Sequence, residues 1–153
     1  MNNLGLTLES AGKLQEAEEI QRQVLAARQA VLGDKHPDTL ISMNNLGSIL
    51  ETAGKLQEAE EIQRQILAAQ QAVLGDKHPD TLISMNNLGS ILETAGKLQE
   101  AEEIQRQALA AQQAVLGDKH PDTLISMNSL GSTLKRAGKL QEAEEIQRQF
   151  PNI

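Results

Sequence analysis

Histidines and paired glutamates are the residues of this sequence that could do chemistry. His36, His78 and His120 recur every 42 residues in the same His-Pro-Asp context, and an imidazole is a common metal ligand. A metal site needs several ligands that converge on one point, whereas one histidine per repeat is carried apart when repeats stack. We therefore expect each histidine to pack a loop or to start a helix, and we predict neither a metal site nor a cofactor.

Adjacent glutamates such as Glu60 and Glu61 invite comparison with the paired carboxylates of general acid–base catalysis. Successive residues of a helix point about 100° apart, and no nucleophile or phosphate-binding loop accompanies these two. The sequence has no cysteine, which excludes disulfides, thiolate zinc sites and cysteine nucleophiles. We interpret the glutamates as a solvated helix face and predict that the protein is not an enzyme.

A twelve-residue stretch, GDKHPDTLISMN, is written three times without a changed letter, at residues 33–44, 75–86 and 117–128. A period of this length is typical of stacked helical repeats. An enzyme with one asymmetric site has no use for three copies, so the repetition favours binding. We predict a single repeat domain over residues 1–153, with units 1–42, 43–84, 85–126 and a truncated 127–153.

Composition limits the partners. The 153 residues are 39% hydrophobic but only 1% aromatic, which favours closely packed helices over strands. The net charge of −7 argues against a nucleic-acid backbone as ligand, because such binding needs a positive surface. No apolar run reaches the roughly 18 residues of a membrane span. The first residues, MNNLGLTLES, lack a secretory signal, so a cytoplasmic location and no membrane partner are the default expectations.

Each unit reads as two helices. Pro37 suits the first turn of a helix, and Gly54 suits the left-handed conformation that ends one. A second helix is predicted from Leu56 to Leu74 and ends at Gly75. The predicted apolar faces are Leu40, Met43, Leu46, Gly47 and Leu50 on the first helix, and Leu56, Ala59, Ile62, Ile66, Ala69 and Val73 on the second.

A glycine inside each first helix costs about 1 kcal/mol relative to alanine, yet it recurs as Gly5, Gly47, Gly89 and Gly131. We expect this glycine to allow close packing against residues equivalent to Ala59 on the second helix. The alternative is that copying of the repeat carried a neutral glycine along.

The pattern Met43-x-x-Leu46-Gly47-x-x-Leu50, followed by Gly54-Lys55-Leu56-x-x-Ala59 and Ile66, resembles the tetratricopeptide repeat. The 42-residue period with NNLG, GKLQEAE and VLGDKHPDT is similar to the long-form repeats of kinesin light chains. The resemblance implies an all-α, right-handed superhelical solenoid of antiparallel helix pairs. It also implies that the first helices line a concave groove which binds a peptide or protein segment. Those helices are nearly free of bases before Lys135 and Arg136, so a clamp for a terminal carboxylate is not supported.

Uncharged polar side chains mark the candidate binding face that the resemblance places in the groove. Asparagine can both donate to and accept from a peptide backbone, so an asparagine ladder could hold an extended chain without reading its sequence. The alternative is an ordinary solvated helix face. The candidate peptide-binding residues are Asn44, Asn45, Ser48, Thr52, Asn86, Asn87, Ser90 and Thr94.

Self-association is the alternative function. The ends are nearly identical to internal repeats and carry no dedicated capping helix, so chains could stack head to tail as a structural assembly. Lys135 and Arg136 are the cap-like charge changes near the C-terminus. A consensus design or a fragment without a ligand of its own is a further alternative.

Overall fold

Residues 2–149 form helices joined by short turns in the computed structural model, which describes the backbone over this range and side chains from residue 11 onwards. Within that range none of the helices combines the length and apolar character needed to cross a bilayer. The helices are α1 (Asn2–Leu32), α2 (Pro37–Thr52), α3 (Leu56–Leu74), α4 (Pro79–Thr94), α5 (Leu98–Leu116), α6 (Pro121–Arg136) and α7 (Leu140–Gln149).

Contacts divide the chain into two compact units, Met1–Ala69 and Gln70–Ile153, and the boundary lies within α3. In the first unit α1 packs against α2, and in the second unit α4, α5, α6 and α7 pack in chain order. Helix α4 also contacts α6, the next first helix along the chain. The assignment of residues 1–153 to one repeat domain stays a prediction.

Histidine caps the start of α2, α4 and α6. The Nδ1 atom of His36 accepts a hydrogen bond of 3.1 Å from the backbone N–H of Asp38, and proline occupies the first helical turn. His78 and His120 repeat this geometry at the same distance. A side chain that accepts from an otherwise unpaired N–H at a helix start stabilises the helix. The predicted helix-start role of the histidines is confirmed.

A three-residue turn joins the helices of each hairpin. Gly54 has a φ of +80°, and its N–H donates to Glu51 O, while the N–H of Lys55 donates to Leu50 O at 2.8 Å. This pair of bonds is the Schellman motif, which needs a left-handed residue and therefore favours glycine. The same bonds recur around Gly96 and Gly138. The predicted turn, and the predicted bounds of α3, are confirmed.

The first repeat, residues 1–42, departs from this pattern. The sequence assigns Ala11-Gly12-Lys13 to the same turn, but α1 is one continuous helix of 31 residues that runs through Gly12. Glycine accepts helical as readily as left-handed backbone, so the letters alone do not fix the turn.

Buried leucine, isoleucine, methionine and alanine side chains form the core. Leu46 and Leu50 are almost fully buried on α2, as are Ala59 and Ile66 on α3, in agreement with the predicted stripes. Val73 is an exception: it is 58% exposed near the end of α3, so its assignment to the inner stripe is wrong. The last turn of α3 extends past the region that its own hairpin covers.

The helix-interior glycines differ from one another. A Cβ atom on Gly89 would lie 2.7 Å from Cγ of Gln105, while on Gly47 it would make ordinary contacts at 3.6 Å and beyond. On Gly131 it would meet nothing within 4 Å. Among the three of these glycines whose side-chain surroundings are described, close packing is confirmed at Gly89 alone, and Gly5 lies outside the described side chains. The neighbour there is a buried glutamine rather than the predicted alanine.

Candidate peptide-binding face

Helices α4 and α6 lie side by side and run parallel in the second unit. Nδ2 of Asn86, in the middle of α4, donates to Oγ of Ser126, and Ser132 Oγ donates to Oε1 of Glu93 at 2.9 Å near the C-terminal end of α4. Both bonds join residues about one repeat apart, which fixes the register of the two helices. Equivalent positions of the third and fourth repeats therefore face the same side.

Glu93 is held by three residues of α6. Thr133 Oγ1 donates to its second carboxylate oxygen at 3.1 Å, and Arg136 donates to its backbone carbonyl at 2.7 Å, in addition to the bond from Ser132. Thr133 and Arg136 replace an isoleucine and a threonine of the preceding repeat, Ile91 and Thr94. The sequence identified Arg136 only as a cap-like change. The two substitutions together were the available signal for this contact.

An apolar and polar face remains open on these helices. Ile83 of α4 is 41% exposed and Ile125 of α6 is 59% exposed, although both are large hydrophobic residues. Asn87 and Ser90 follow Ile83 at helical spacing and are half-buried, and Thr94 is exposed. We call the set Ile83, Asn87, Ser90, Thr94, Ile125, Ser129 and Ser132 the α4/α6 face.

The first unit carries the equivalent residues on α2. Asn45, Ser48 and Thr52 are exposed there, and Ile41 is 54% exposed. Asn44 is exposed too, but its Oδ1 already accepts a hydrogen bond of 3.0 Å from Nε2 of Gln63 on α3. Asn44 therefore supports the hairpin as well as bordering the face.

Asn86 does not belong to the open surface. The sequence groups it with the binding residues, but only 9% of it is exposed and its side chain bonds to Ser126. Ser126 Oγ in turn donates to Oε1 of Gln112, so Asn86 is part of a buried polar chain between repeats. Thr52 and Thr94 also use their hydroxyls internally, on the carbonyls of Ser48 and Ser90 four residues earlier. On α2 both Asn44 and Asn45 are exposed, whereas on α4 Asn86 is buried and Asn87 is half-buried.

The glutamate pairs are not simply a solvated face, contrary to the expectation from sequence. Glu102 of α5 is buried, and its carboxylate accepts from Arg106 on the same helix and from Lys139 of the next repeat at 2.9 Å. Arg106 also pairs with Glu142, which extends the contact across the two repeats. The neighbouring Glu103 is exposed, as expected. The first glutamate of the pair is buried in three repeats, as Glu18, Glu60 and Glu102, whereas Glu144 of the fourth repeat is exposed.

The same network joins the first two repeats. Glu18 binds Arg22 and Lys55, and Arg22 reaches Glu58 at 2.7 Å. The hydrogen bonds from Arg22 and Lys55 lower the pKa of Glu18, and the bond from Lys139 lowers the pKa of Glu102, with a smaller contribution from Arg106. Positive neighbours favour the charged carboxylate, which keeps these sites ionised and unsuited to act as proton donors near neutral pH.

The histidines stay apart. Each serves its own helix cap, and the residues from 11 to 149 contain no cluster of three or more histidines or carboxylates that could hold a metal ion.

Comparisons with known proteins agree with this fold. A family profile described as tetratricopeptide repeat matches residues 1–72, 53–114 and 92–149. A comparison with curated proteins gives no match. Among solved structures, a candidate kinesin light chain from Podosopora anserina with nearly identical TPR-like repeats is 33% identical, with a TM-score of 0.82. The match covers 96% of this chain and 70% of that one.

Two further structures extend the comparison. A glutamine-to-methionine variant of the Podosopora protein is also 33% identical, with a TM-score of 0.83 over 96% of this chain and 69% of that one. BtubC (BKLC) from P. vanneervenii shares the fold at 22% identity, with a TM-score of 0.77 over 93% of this chain and 59% of that one. The predicted all-α solenoid class and the resemblance to kinesin light chain repeats are confirmed, and the chain belongs to the tetratricopeptide repeat family.

Proposed function

We propose that the protein is a non-enzymatic interaction scaffold that binds an extended peptide segment of a partner protein on its first helices. Tetratricopeptide repeats generally act as protein-interaction scaffolds, which supports the class. The observation that carries the proposal is the exposure of Ile83 and Ile125 on parallel, adjacent helices, beside Asn87 and Ser129. Exposed apolar side chains, bordered by polar side chains that can bond to a backbone, suit a peptide.

The chemistry of the α4/α6 face also limits the ligand. The seven residues that define this face include no basic residue, and Arg136, one turn after Ser132, is occupied by the carbonyl and carboxylate of Glu93. A ligand held through a strong negative charge therefore has little to bind. The repeated Asn and Ser residues favour backbone contacts, so a repetitive or sequence-tolerant segment with spaced apolar residues fits best.

A peptide-array experiment tests the proposal. Binding of labelled protein to immobilised peptides is compared with that of the Ile83→Ser/Ile125→Ser variant, which removes the apolar part of the face, and of Asn87→Ala/Ser129→Ala, which removes polar groups of the same face. Val115→Ser is the matched control, since Val115 is a similarly exposed aliphatic residue on α5. We expect both face variants to lose at least about tenfold in affinity and the control to lose none.

Two outcomes would reject groove binding. One is the absence of any peptide that binds more tightly to the wild-type protein than to the isoleucine variant. The other is an equal loss in the Val115→Ser control. Either would leave a scaffold without a ligand on this face. Self-association is the alternative that the sequence leaves open, and these peptide-binding measurements do not depend on it.

A further inference from the structure

The hydrogen bonds between α4 and α6, which are in contact, set how far apart their exposed isoleucines lie. Asn86 bonds to Ser126, which stands two positions earlier in its repeat, and Glu93 bonds to Ser132, three positions earlier. Equivalent residues of the two helices are therefore offset along the helix axis by about 3–4.5 Å, at a rise of about 1.5 Å per residue. This offset adds to the sideways distance between the helices.

Ile83 and Ile125 are equivalent residues, so the same geometry applies to them. The axes of packed helices lie about 8–10 Å apart, and with the offset at right angles this places equivalent positions about 9–11 Å apart. Only a segment that crosses both helices reaches the two side chains. Such a ligand must present apolar groups on one side at intervals of about 9–11 Å.

The polyproline II helix is the extended conformation that meets this interval. It has three residues per turn and rises about 3.1 Å per residue, so every third side chain returns to the same side after about 9.3 Å. A β-strand returns to the same side after about 6.6 Å or about 13 Å, which is too short or too long. An α-helix returns after two turns, about 10.8 Å, and is the other conformation with a suitable interval.

Asn87 and Ser129 favour polyproline II over the α-helix. Both lie half-buried on the α4/α6 face, and neither side chain bonds to another residue within the described part of the chain. Amide and hydroxyl groups can donate to backbone carbonyls. These carbonyls have no internal partner in polyproline II, whereas an α-helix uses them in its own hydrogen bonds. A polyproline II ligand therefore gives both side chains an acceptor.

Acidic residues border the isoleucines near the helix starts. Asp80 and Asp122 lie three residues before Ile83 and Ile125, and thus on the same side of each helix. Asp80 is exposed and Asp122 is half-buried, and neither carboxylate pairs with another described residue. The loop before each helix adds one acid and one base, so it does not neutralise them. This edge of the face therefore complements a positive charge.

We propose that the α4/α6 face binds a cationic polyproline II segment, in which apolar residues recur at every third position and a lysine or arginine lies beside them. The inference rests on the proposed function and names the ligand class of the same face. The apolar residues contact the two isoleucines, the carbonyls accept from the asparagine and the serine, and the basic residues pair with the two aspartates. A segment that is already extended loses little conformational entropy when it binds.

Fluorescence anisotropy with labelled peptides tests the interval. The parent peptide carries Leu-Lys-Pro-Leu between neutral Gly-Ser flanks, and two others place the leucines two apart, as Leu-Pro-Leu-Lys, or four apart, as Leu-Lys-Pro-Pro-Leu. We expect the parent to bind about tenfold more tightly, because the other intervals seat only one leucine. The preference disappears in Ile125→Ser, which leaves one isoleucine, and it persists in the Val115→Ser control.

Charge is tested with a peptide that has glutamate in place of the lysine. It should bind the wild type at least about fivefold more weakly than the parent at low salt, because an attraction becomes a repulsion, and the difference should shrink as salt rises. The difference should be lost in Asp80→Asn/Asp122→Asn. Glu103→Gln/Glu145→Gln is the matched control, since it removes the same charge from exposed positions of α5 and α7, and it should retain the difference.

Three results would overturn the ligand class and leave the proposed function intact, because a peptide would still bind the face. They are equal or tighter binding of the two-apart peptide, of a helical peptide with leucines seven apart, or of a Leu-Lys-Gly-Leu peptide that lacks the proline. Absence of binding by every one of these peptides also overturns it. The peptide array then decides separately whether the face has another ligand, and its failure as well would reject the proposed function.

Discussion

Gly47, Gly89 and Gly131 occupy the same position of three repeats, but replacing each with alanine should change the stability of the protein differently. Alanine is better than glycine in a helix interior by about 1 kcal/mol, so Gly131→Ala, which meets nothing within 4 Å, should stabilise by about that amount. Gly47→Ala adds only ordinary contacts and should behave alike. At Gly89 the new methyl would approach Cγ of Gln105 at 2.7 Å. Overpacking of this kind costs about 1–3 kcal/mol.

Gln105 cannot easily give way. It is fully buried, and the crowded atom is in the middle of its side chain rather than at its free end. The cost of overpacking therefore cancels or exceeds the helix-propensity gain, and Gly89→Ala should be neutral to about 2 kcal/mol destabilising. The difference between Gly89→Ala and Gly131→Ala should be about 1–3 kcal/mol.

Urea unfolding followed by circular dichroism measures these differences through the midpoint and slope of each transition. Truncating the neighbour is the internal control. In a Gln105→Ala background the crowded atom is gone, so Gly89→Ala should stabilise like Gly131→Ala, with a coupling energy of about 1–3 kcal/mol in the double-mutant cycle. Equal effects of all three glycine substitutions would refute the reasoning, because they would show that crowding at Gly89 has no energetic consequence.

The remaining predictions concern charge, packing and capping. The pKa of Glu102 is lower in the folded protein than in the unfolded chain, so the unfolded chain binds a proton at this carboxyl more tightly. The stabilisation that the charged carboxylate contributes is therefore present above the ordinary glutamate pKa of about 4.3, and it is lost as pH falls through the lower folded value. Unfolding midpoints of Glu102→Gln should therefore fall less steeply on acidification than those of wild type. Ile66 and Ala108 occupy the same buried position of the second and third repeats, so Ile66→Ala should cost about 2–5 kcal/mol and Ala108→Ile should raise the urea midpoint. A lower midpoint for Ala108→Ile would show that the packing around this position differs between the two repeats. His120→Ala should cost about 1 kcal/mol, because the helix loses the side chain that caps its start. Asparagine can accept the same backbone N–H, so His120→Asn should have a urea midpoint close to that of the wild type.

Local signals predicted the fold well because they act within a few residues. Pro37 and Gly54 restrict the backbone at the helix boundaries, and the apolar spacing selects the buried face, so both helices of a hairpin were placed correctly. Gly12 shows the limit of this reasoning. Its sequence context is that of a turn, yet α1 runs through it as one continuous helix, because glycine adopts helical backbone as readily as left-handed backbone.

The contacts between repeats were beyond reach of the sequence for a different reason. Glu102 and Glu103 are adjacent and chemically identical, and only the approach of Lys139 from another repeat decides which is buried. Likewise Asn86 and Asn87 differ by one helical step, which directs the first towards Ser126 and the second towards the open face. In near-identical repeats the sequence shows which residue types can pair, but it does not show which copy of each residue forms the contact.

The turn within each hairpin has a consequence for how the molecule opens. Lys97 closes α4 through its N–H on Leu92 O at 2.8 Å and also begins α5, because its carbonyl accepts from Ala101 at 3.0 Å. One residue therefore belongs to both helices, and fraying of either end breaks bonds of the other. The link from α5 to α6 is looser, with the N–H of His120 at 3.4 Å from Gly117 O. Amide exchange should accordingly proceed hairpin by hairpin, with the helices of α4–α5 opening together and the breaks in cooperativity falling between hairpins.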